Sequence, residues 1–208
     1  MSAVTARLPA PVRQHLVAVR ALLVFTVLLG LAYPLALTAF GQIAFHRQAD
    51  GSLASYDGHP AGSSLLGQPF TDTKGNPLPQ WFQPRPSAAG AGYDPLSSAA
   101  SNLGPTNPDL VKVIEQRRAA VAAFNSVPET QVPADAVTAS GSGLDPDISP
   151  AYAYLQVDRI AAARGLDPVT LRRLVADHVQ GRTLGILGEP RVNVLDLNLA
   201  LARLDARR

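Results

Sequence analysis

Between Arg20 and Arg47 the 208-residue chain carries an uncharged run, Ala21–Phe45, that reads ALLVFTVLLGLAYPLALTAFGQIAF. About 20 apolar residues cover the hydrocarbon layer of a bilayer, so this stretch is long enough to cross one with some tilt. A buried core helix is rarely uniformly apolar over such a length. A cleaved signal peptide would use a shorter apolar region of about 7–15 residues followed by an A-x-A-like site, and no clean site follows. An uncleaved anchor is the reading that the length favours. Pro34 is expected to kink the span, which membrane helices tolerate when neighbouring groups satisfy the freed carbonyl.

Flanking charge gives the orientation. Arg7, Arg13 and Arg20 precede the span with no acidic residue among them, whereas Arg47, Asp50 and Asp57 follow it. Cytoplasmic flanks carry the excess of Lys and Arg. The expected organisation is therefore a cytoplasmic tail (1–20), a transmembrane helix (21–45) and an extracytoplasmic domain (46–208), located in the cell membrane as a single-pass protein. A net charge of +2, with basic residues scattered rather than striped, points to no nucleic-acid partner. The chain has no cysteine, which excludes disulfides and thiolate metal sites, and its four histidines show no HExxH-type spacing.

The exported part changes character halfway. Gln48 to Pro108 is rich in Gly, Pro, Ser and Asn, and its short apolar patches, Ser64–Phe70 and Gln80–Pro84, suit short strands and turns. The second half is helical in pattern. Asn107 is a candidate cap with Pro108 in the first turn, and Leu110, Val113, Ile114, Val121 and Phe124 follow at helical spacing. A second helix spans Pro150–Arg164 and ends at Gly165, a third restarts at Asp167-Pro168, and a fourth runs through VNVLDLNLALARL with Asn193 as its cap. The fold class is α+β: one N-terminal transmembrane helix, then a mixed domain with about four helices.

The segment VTASGSGLDPDISP, Val137–Pro150, has the composition of a catalytic loop. A membrane-anchored serine hydrolase would use Ser140 or Ser142 as nucleophile with His178 as base. No G-x-S-x-G is present, however. The residues have a simpler use: Ser149 caps the helix that begins at Pro150, Asp145 and Asp147 lie near its positive end, and Gly141 and Gly143 permit a tight approach. Asp72–Gly75, DTKG, scrambles the order of the phosphorylated DKTG motif of P-type pumps and reads as a turn. The corner Gly181–Leu201 offers a partner-contact surface with Arg182, Glu189 and Arg191 at its rim. Within the span, Thr26, Gly30, Tyr33 and Thr38 are candidate helix-contact residues, because small and polar side chains favour close packing in lipid. An anchored ligand-binding module is a further alternative.

Several stretches together resemble the C subunit of the high-affinity Kdp-type potassium-transporting ATPase (the KdpC family). They are SSLLGQPF, WFQPRPSA, SNLGPTNPDL, VPADAVTASGSGLDPDISP and LGEPRVNVLDLNLAL, in that order and over nearly the whole chain. Asp147 stands where that family frequently has histidine. The resemblance implies a non-catalytic subunit, with no catalytic residue and no stably bound cofactor of its own, ATP being met only through the pump complex. Its implied partners are a P-type ATPase subunit, a channel-like potassium-translocating subunit, a small membrane peptide and membrane lipid. The implied roles are stabilising the assembly and acting as a catalytic chaperone that raises the pump subunit's ATP affinity. An extracytoplasmic domain cannot itself meet cytoplasmic ATP. That leaves the span, or a domain capping the potassium entrance, as carriers of the effect.

Overall fold

The computed structural model describes residues 9–205, and the chain divides into two compact units that meet between Ser52 and Leu53. The first unit is dominated by one helix, α1 (Ala10–Ala44), long and apolar enough to cross a membrane. At 1.5 Å per residue it is about 52 Å long, well beyond the ~30 Å hydrocarbon layer. Helix starts at Ala10 rather than Ala21, so the described part of the expected tail, which carries Arg13 and Arg20, is helical too. None of the most apolar window of α1 is covered by the rest of the chain.

Pro34 is accommodated by a change of helical register. Proline lacks the N–H of an α-helical turn, and its ring crowds the carbonyl four residues back. The helix widens to a π turn over Leu28–Ala32, where the N–H of Tyr33 reaches the Leu28 carbonyl, before the α register resumes. The Thr38 hydroxyl donates to the Pro34 carbonyl at 2.8 Å. At Phe45 the backbone leaves the helical region, and a four-residue helix, α2 (His46–Ala49), follows.

The second unit opens with an antiparallel hairpin, β1 (Leu53–Tyr56) and β2 (His59–Ser63). Its turn is Asp57-Gly58, both at positive φ (49° and 77°), the requirement of a tight type I′ connection. Of the short strands and turns expected over Ser64–Phe70 and Gln80–Pro84, the turns form and the strands do not. Ser64–Phe70 is turn and irregular chain, and Gln80–Pro84 is a strap that belongs to no sheet. Thr71 bridges to Pro77 around a turn held by the Asp72 carboxylate, which accepts from the N–H groups of Lys74 and Asn76. These bonds hold the exposed Asp72 carboxyl below its usual range, the Asn76 side-chain amide contributing most.

Five helices complete the domain: α3 (Pro108–Asn125), α4 (Pro150–Leu155), α5 (Val157–Arg164), α6 (Pro168–Asp177) and α7 (Val194–Asp205). The caps lie where the sequence places them. Asn107 accepts from the Asp109 N–H, Asp167 from Val169 and Thr170, and Asn193 from Asp196, while Gly165 ends α5 at φ 64°. The helix expected over Pro150–Arg164 divides at Gln156 into α4 and α5, which raises the count from about four to five. A small antiparallel sheet, in the order β3 (Asp147–Ile148), β5 (Arg191–Asn193), β4 (Val179–Gln180), joins the loop before α4 to the chain before α7. Ile148, Val157, Ile160, Leu171, Val175, Val192, Leu197 and Leu201 form the core, with Phe82 of the strap inserted among them.

Side-chain amides, not a neighbouring strand, hold the strap. Asn198 of α7 accepts from the Phe82 N–H and donates to the Phe82 carbonyl, both at 2.9 Å. Gln156 does the same for Gln83, at 2.7 and 3.1 Å. The two amides are 1% and 0% exposed. Arg159 adds hydrogen bonds to the carbonyls of Pro79 and Trp81, to Asn125 and to Gln156, and its guanidinium lies 4.4 Å above the Phe124 ring. Burial pushes Arg159 down to about 10, still cationic at neutral pH. A buried backbone group left without its partner costs about 1–3 kcal/mol. Asn198→Leu, which orphans both groups of Phe82, is expected to lose about 2–4 kcal/mol in urea unfolding of the full-length chain. A loss below about 1 kcal/mol would show the strap to be held by other means.

Candidate functional site

The loop Val137–Pro150 is organised from both ends. At its C-terminal end the Ser149 hydroxyl accepts from the Tyr152 N–H at 3.0 Å, capping α4. The cap is itself positioned: Asp135 accepts from the Ser149 N–H at 2.6 Å and from its hydroxyl at 2.9 Å. Asp135 sits in a separate 3₁₀ turn, Ala134–Ala136, and no local sequence pattern ties it to the helix. Asp145 and Asp147, expected to face the positive end of α4, pair elsewhere. Arg85 of the strap region bonds Asp145 at 2.8 Å and spans to the Thr138 carbonyl, while Arg191 bonds Asp147 at 2.9 Å. Burial, with Asp145 beside it, raises the Asp147 pKa despite the Arg191 pair.

Gly143 is required and Gly141 is not. At φ 69°, a Cβ on Gly143 would stand 2.7 Å from both the Ala89 nitrogen and the Ala99 carbonyl oxygen, whereas Gly141 faces open space. Ser142 closes the loop locally: its hydroxyl accepts from the Leu144 N–H, and its carbonyl accepts from the Ala99 N–H and the Ser98 hydroxyl. Ser140 is buried, and its hydroxyl has no hydrogen-bond partner among the described residues.

The Ser–His pairing that a hydrolase needs is not assembled. Ser140 and Ser142 line one hollow with Leu65, Leu66, Arg85 and Asp145. His178 lines another, with Asp177, Gln180 and Asp196, and its Nδ1 lies 2.8 Å from the Leu174 carbonyl of its own helix. A general base must stand within hydrogen-bond reach of its nucleophile, directly or through one water. Among the described residues, no three His, Asp or Glu side chains are grouped to hold a metal ion.

The rim residues of the Gly181–Leu201 corner separate into two pairs. Arg182 and Glu189 bond each other at 2.7 Å, and Arg191 is turned to Asp147. Between Arg182 and Glu189 the chain forms a tight hairpin in which Thr183 and Leu187 exchange backbone hydrogen bonds, with Leu184 held at φ 54°. It exposes Leu184, Ile186 and Leu187, aliphatics that the rim charges obscure in the sequence. In α1, a Cβ on Gly30 would come no closer than 4.0 Å to Thr26, so internal packing does not require glycine there. Tyr33 is exposed, and the Thr38 hydroxyl is engaged within the helix.

Known proteins match this chain along most of its length. A family model described as KdpC, K+-transporting ATPase, c chain, matches residues 15–203. A protein of Kineococcus radiotolerans named potassium-transporting ATPase KdpC subunit is 58% identical over 180 residues, covering 86% of this chain and 88% of its own. Proteins of the same name from Beijerinckia indica and Mycobacterium bovis are 52% and 51% identical, over 89% and 92% of this chain and 90% and 99% of theirs. With the match extending from within α1 almost to the end of α7, the chain belongs to the KdpC family, the c chain of the K+-transporting ATPase.

Proposed function

We propose that the chain is a non-catalytic accessory subunit of an ATP-driven potassium uptake complex. It stabilises the assembly and, as a catalytic chaperone, raises the ATP affinity of the P-type ATPase subunit. The observation that carries this reading is α1, a long helix belonging to a transport-ATPase family and left uncovered along its apolar length by its own chain. Such a helix is available to lipid and to partner helices. The separation of Ser140 and Ser142 from His178 argues in the same direction, against chemistry performed by this chain.

The partners in this reading are the P-type ATPase subunit, the channel-like potassium-translocating subunit and the small membrane peptide. An effector shifts ATP affinity only by binding two states of the pump unequally. The N-terminus lies in the cytoplasm and the domain outside it, so the effect on the nucleotide site passes through the membrane part. Thr26 and Gly30, neighbours on α1, offer the close approach through which helices associate in lipid.

Three measurements test this. A tagged full-length chain pulled from native membranes should bring down a P-type ATPase and a channel-like subunit with potassium-stimulated ATPase activity. Gly30→Leu should reduce that recovery severalfold, and a chain that comes out alone would end the proposal. The KM for ATP of the assembled pump should rise when this chain is omitted and fall on adding it back, while Ser142→Ala and His178→Ala leave turnover unchanged. Because the chain has no cysteine, a single introduced thiol reports topology. Ser97→Cys should react with a membrane-impermeant maleimide on intact cells and Ala10→Cys only after lysis; the opposite pattern would invert the orientation.

A further inference from the structure

Between α3 and the strap lies a groove of about 330 Å³, within the range of small-molecule sites, about 300–1,000 Å³. Its walls are largely apolar, with Pro84 and Pro86 on one side and Val121 and Phe124 of α3 on the other. Two of its lining groups do not suit apolar surroundings. Arg117 donates one hydrogen bond, to the Val137 carbonyl at 3.2 Å, and among the described residues it has no carboxylate partner. Burial alone pulls its pKa down. Tyr152 as a whole is 4% exposed, but its hydroxyl, which no described group bonds, is not sealed from solvent.

The other charges near the groove are already matched. Arg85 is paired with Asp145; Asp135 and Arg159, which do not line the groove, spend their hydrogen bonds on Ser149 and on Asn125, Gln156 and backbone carbonyls. Arg117, only half-buried, is thus a cation with no carboxylate partner, and the Tyr152 hydroxyl is a donor with no described partner, and both residues line one hollow. A planar guanidinium fits a carboxylate with two parallel hydrogen bonds. The Tyr152 hydroxyl, pushed up to about 12 by burial, keeps its proton for donation.

We propose that this groove is a binding site for a small amphipathic monoanion, a carboxylate on an apolar body. Arg117 and the Tyr152 hydroxyl hold the head, and Pro84, Pro86, Val121 and Phe124 enclose the body. The groove contains none of Ser140, Ser142 and His178, though Arg85 lines both it and the Ser140–Ser142 hollow.

The test is calorimetric titration of the full-length chain in lipid nanodiscs with 2-naphthoate, using empty nanodiscs as blank and uncharged 2-naphthalenemethanol as comparison ligand. The expected result is saturable one-to-one binding of the acid, at least tenfold tighter than that of the alcohol. Arg117→Gln should weaken the acid at least tenfold and leave the alcohol unchanged. Tyr152→Phe, which keeps the ring, should weaken it severalfold, and both variants should melt within a few degrees of the parent. If Arg117→Gln does not fold, Arg117→Lys serves instead, keeping the charge but not the fork, and should lose part of the acid's advantage. The proposal is overturned by heat no greater than that of empty nanodiscs, by equal affinity for acid and alcohol, or by acid binding that ignores the Arg117 and Tyr152 substitutions.

Discussion

Two buried carboxamides determine how the second unit closes. The strap through Phe82 and Gln83 crosses the face of the helical core with no strand beside it, and its backbone donors and acceptors lie out of reach of water. Asn198 and Gln156 each present one donor and one acceptor, the same pair a neighbouring peptide would offer, and so stand in for a strand. Phe82 is thereby fixed in the core, Gln83 is free to bond the Phe70 and Leu78 carbonyls, and Arg85 is brought to Asp145. The loop before α4 and the groove beside α3 both inherit their shape from this clasp.

The sequence discloses what depends on near neighbours. The span, the caps at Asn107, Ser149, Asp167 and Asn193, the stop at Gly165 and the Asp72 turn all rest on contacts within a few residues, and each is legible as a pattern. The hairpin was equally legible, since Asp57-Gly58 is a strong turn signal, yet it escaped because its strands are only weakly apolar. That Ser64–Phe70 and Gln80–Pro84 take turn and irregular forms, with no strand among them, has a different cause. Their apolar residues do enter or approach the core, but their backbone partners are side chains dozens of residues away, which no periodicity displays. The charges of the candidate site fail for the same reason: Asp145 with Arg85, Asp147 with Arg191 and Asp135 with Ser149 are pairings that only the folded chain makes.

In the membrane unit, the proline and the π turn form one device. A widened turn just before Pro34 relieves the ring's clash and lets helix continue to Ala44. It also shifts by part of a turn the face on which residues before and after it align. Gly30, inside the widened turn, still neighbours Thr26, whereas Thr38 lies beyond the shift and spends its hydroxyl on its own helix. A partner helix meeting α1 on the Thr26–Gly30 face would find a different set of side chains past the turn than straight 3.6-residue spacing implies.

The clasp also orders events in time. Phe82 and its amide partner Asn198 are separated by 116 positions, and Gln83 and Gln156 by 73. Synthesis delivers the strap first, and contacts between distant residues form slowly. The first half of the domain therefore waits with the strap's backbone unclaimed. Only when α4, α5 and finally α7 arrive can it take its place. Helix α7 is thus the latch for a segment made long before it, and truncating the chain ahead of Asn198 would release a strap more than a hundred residues upstream.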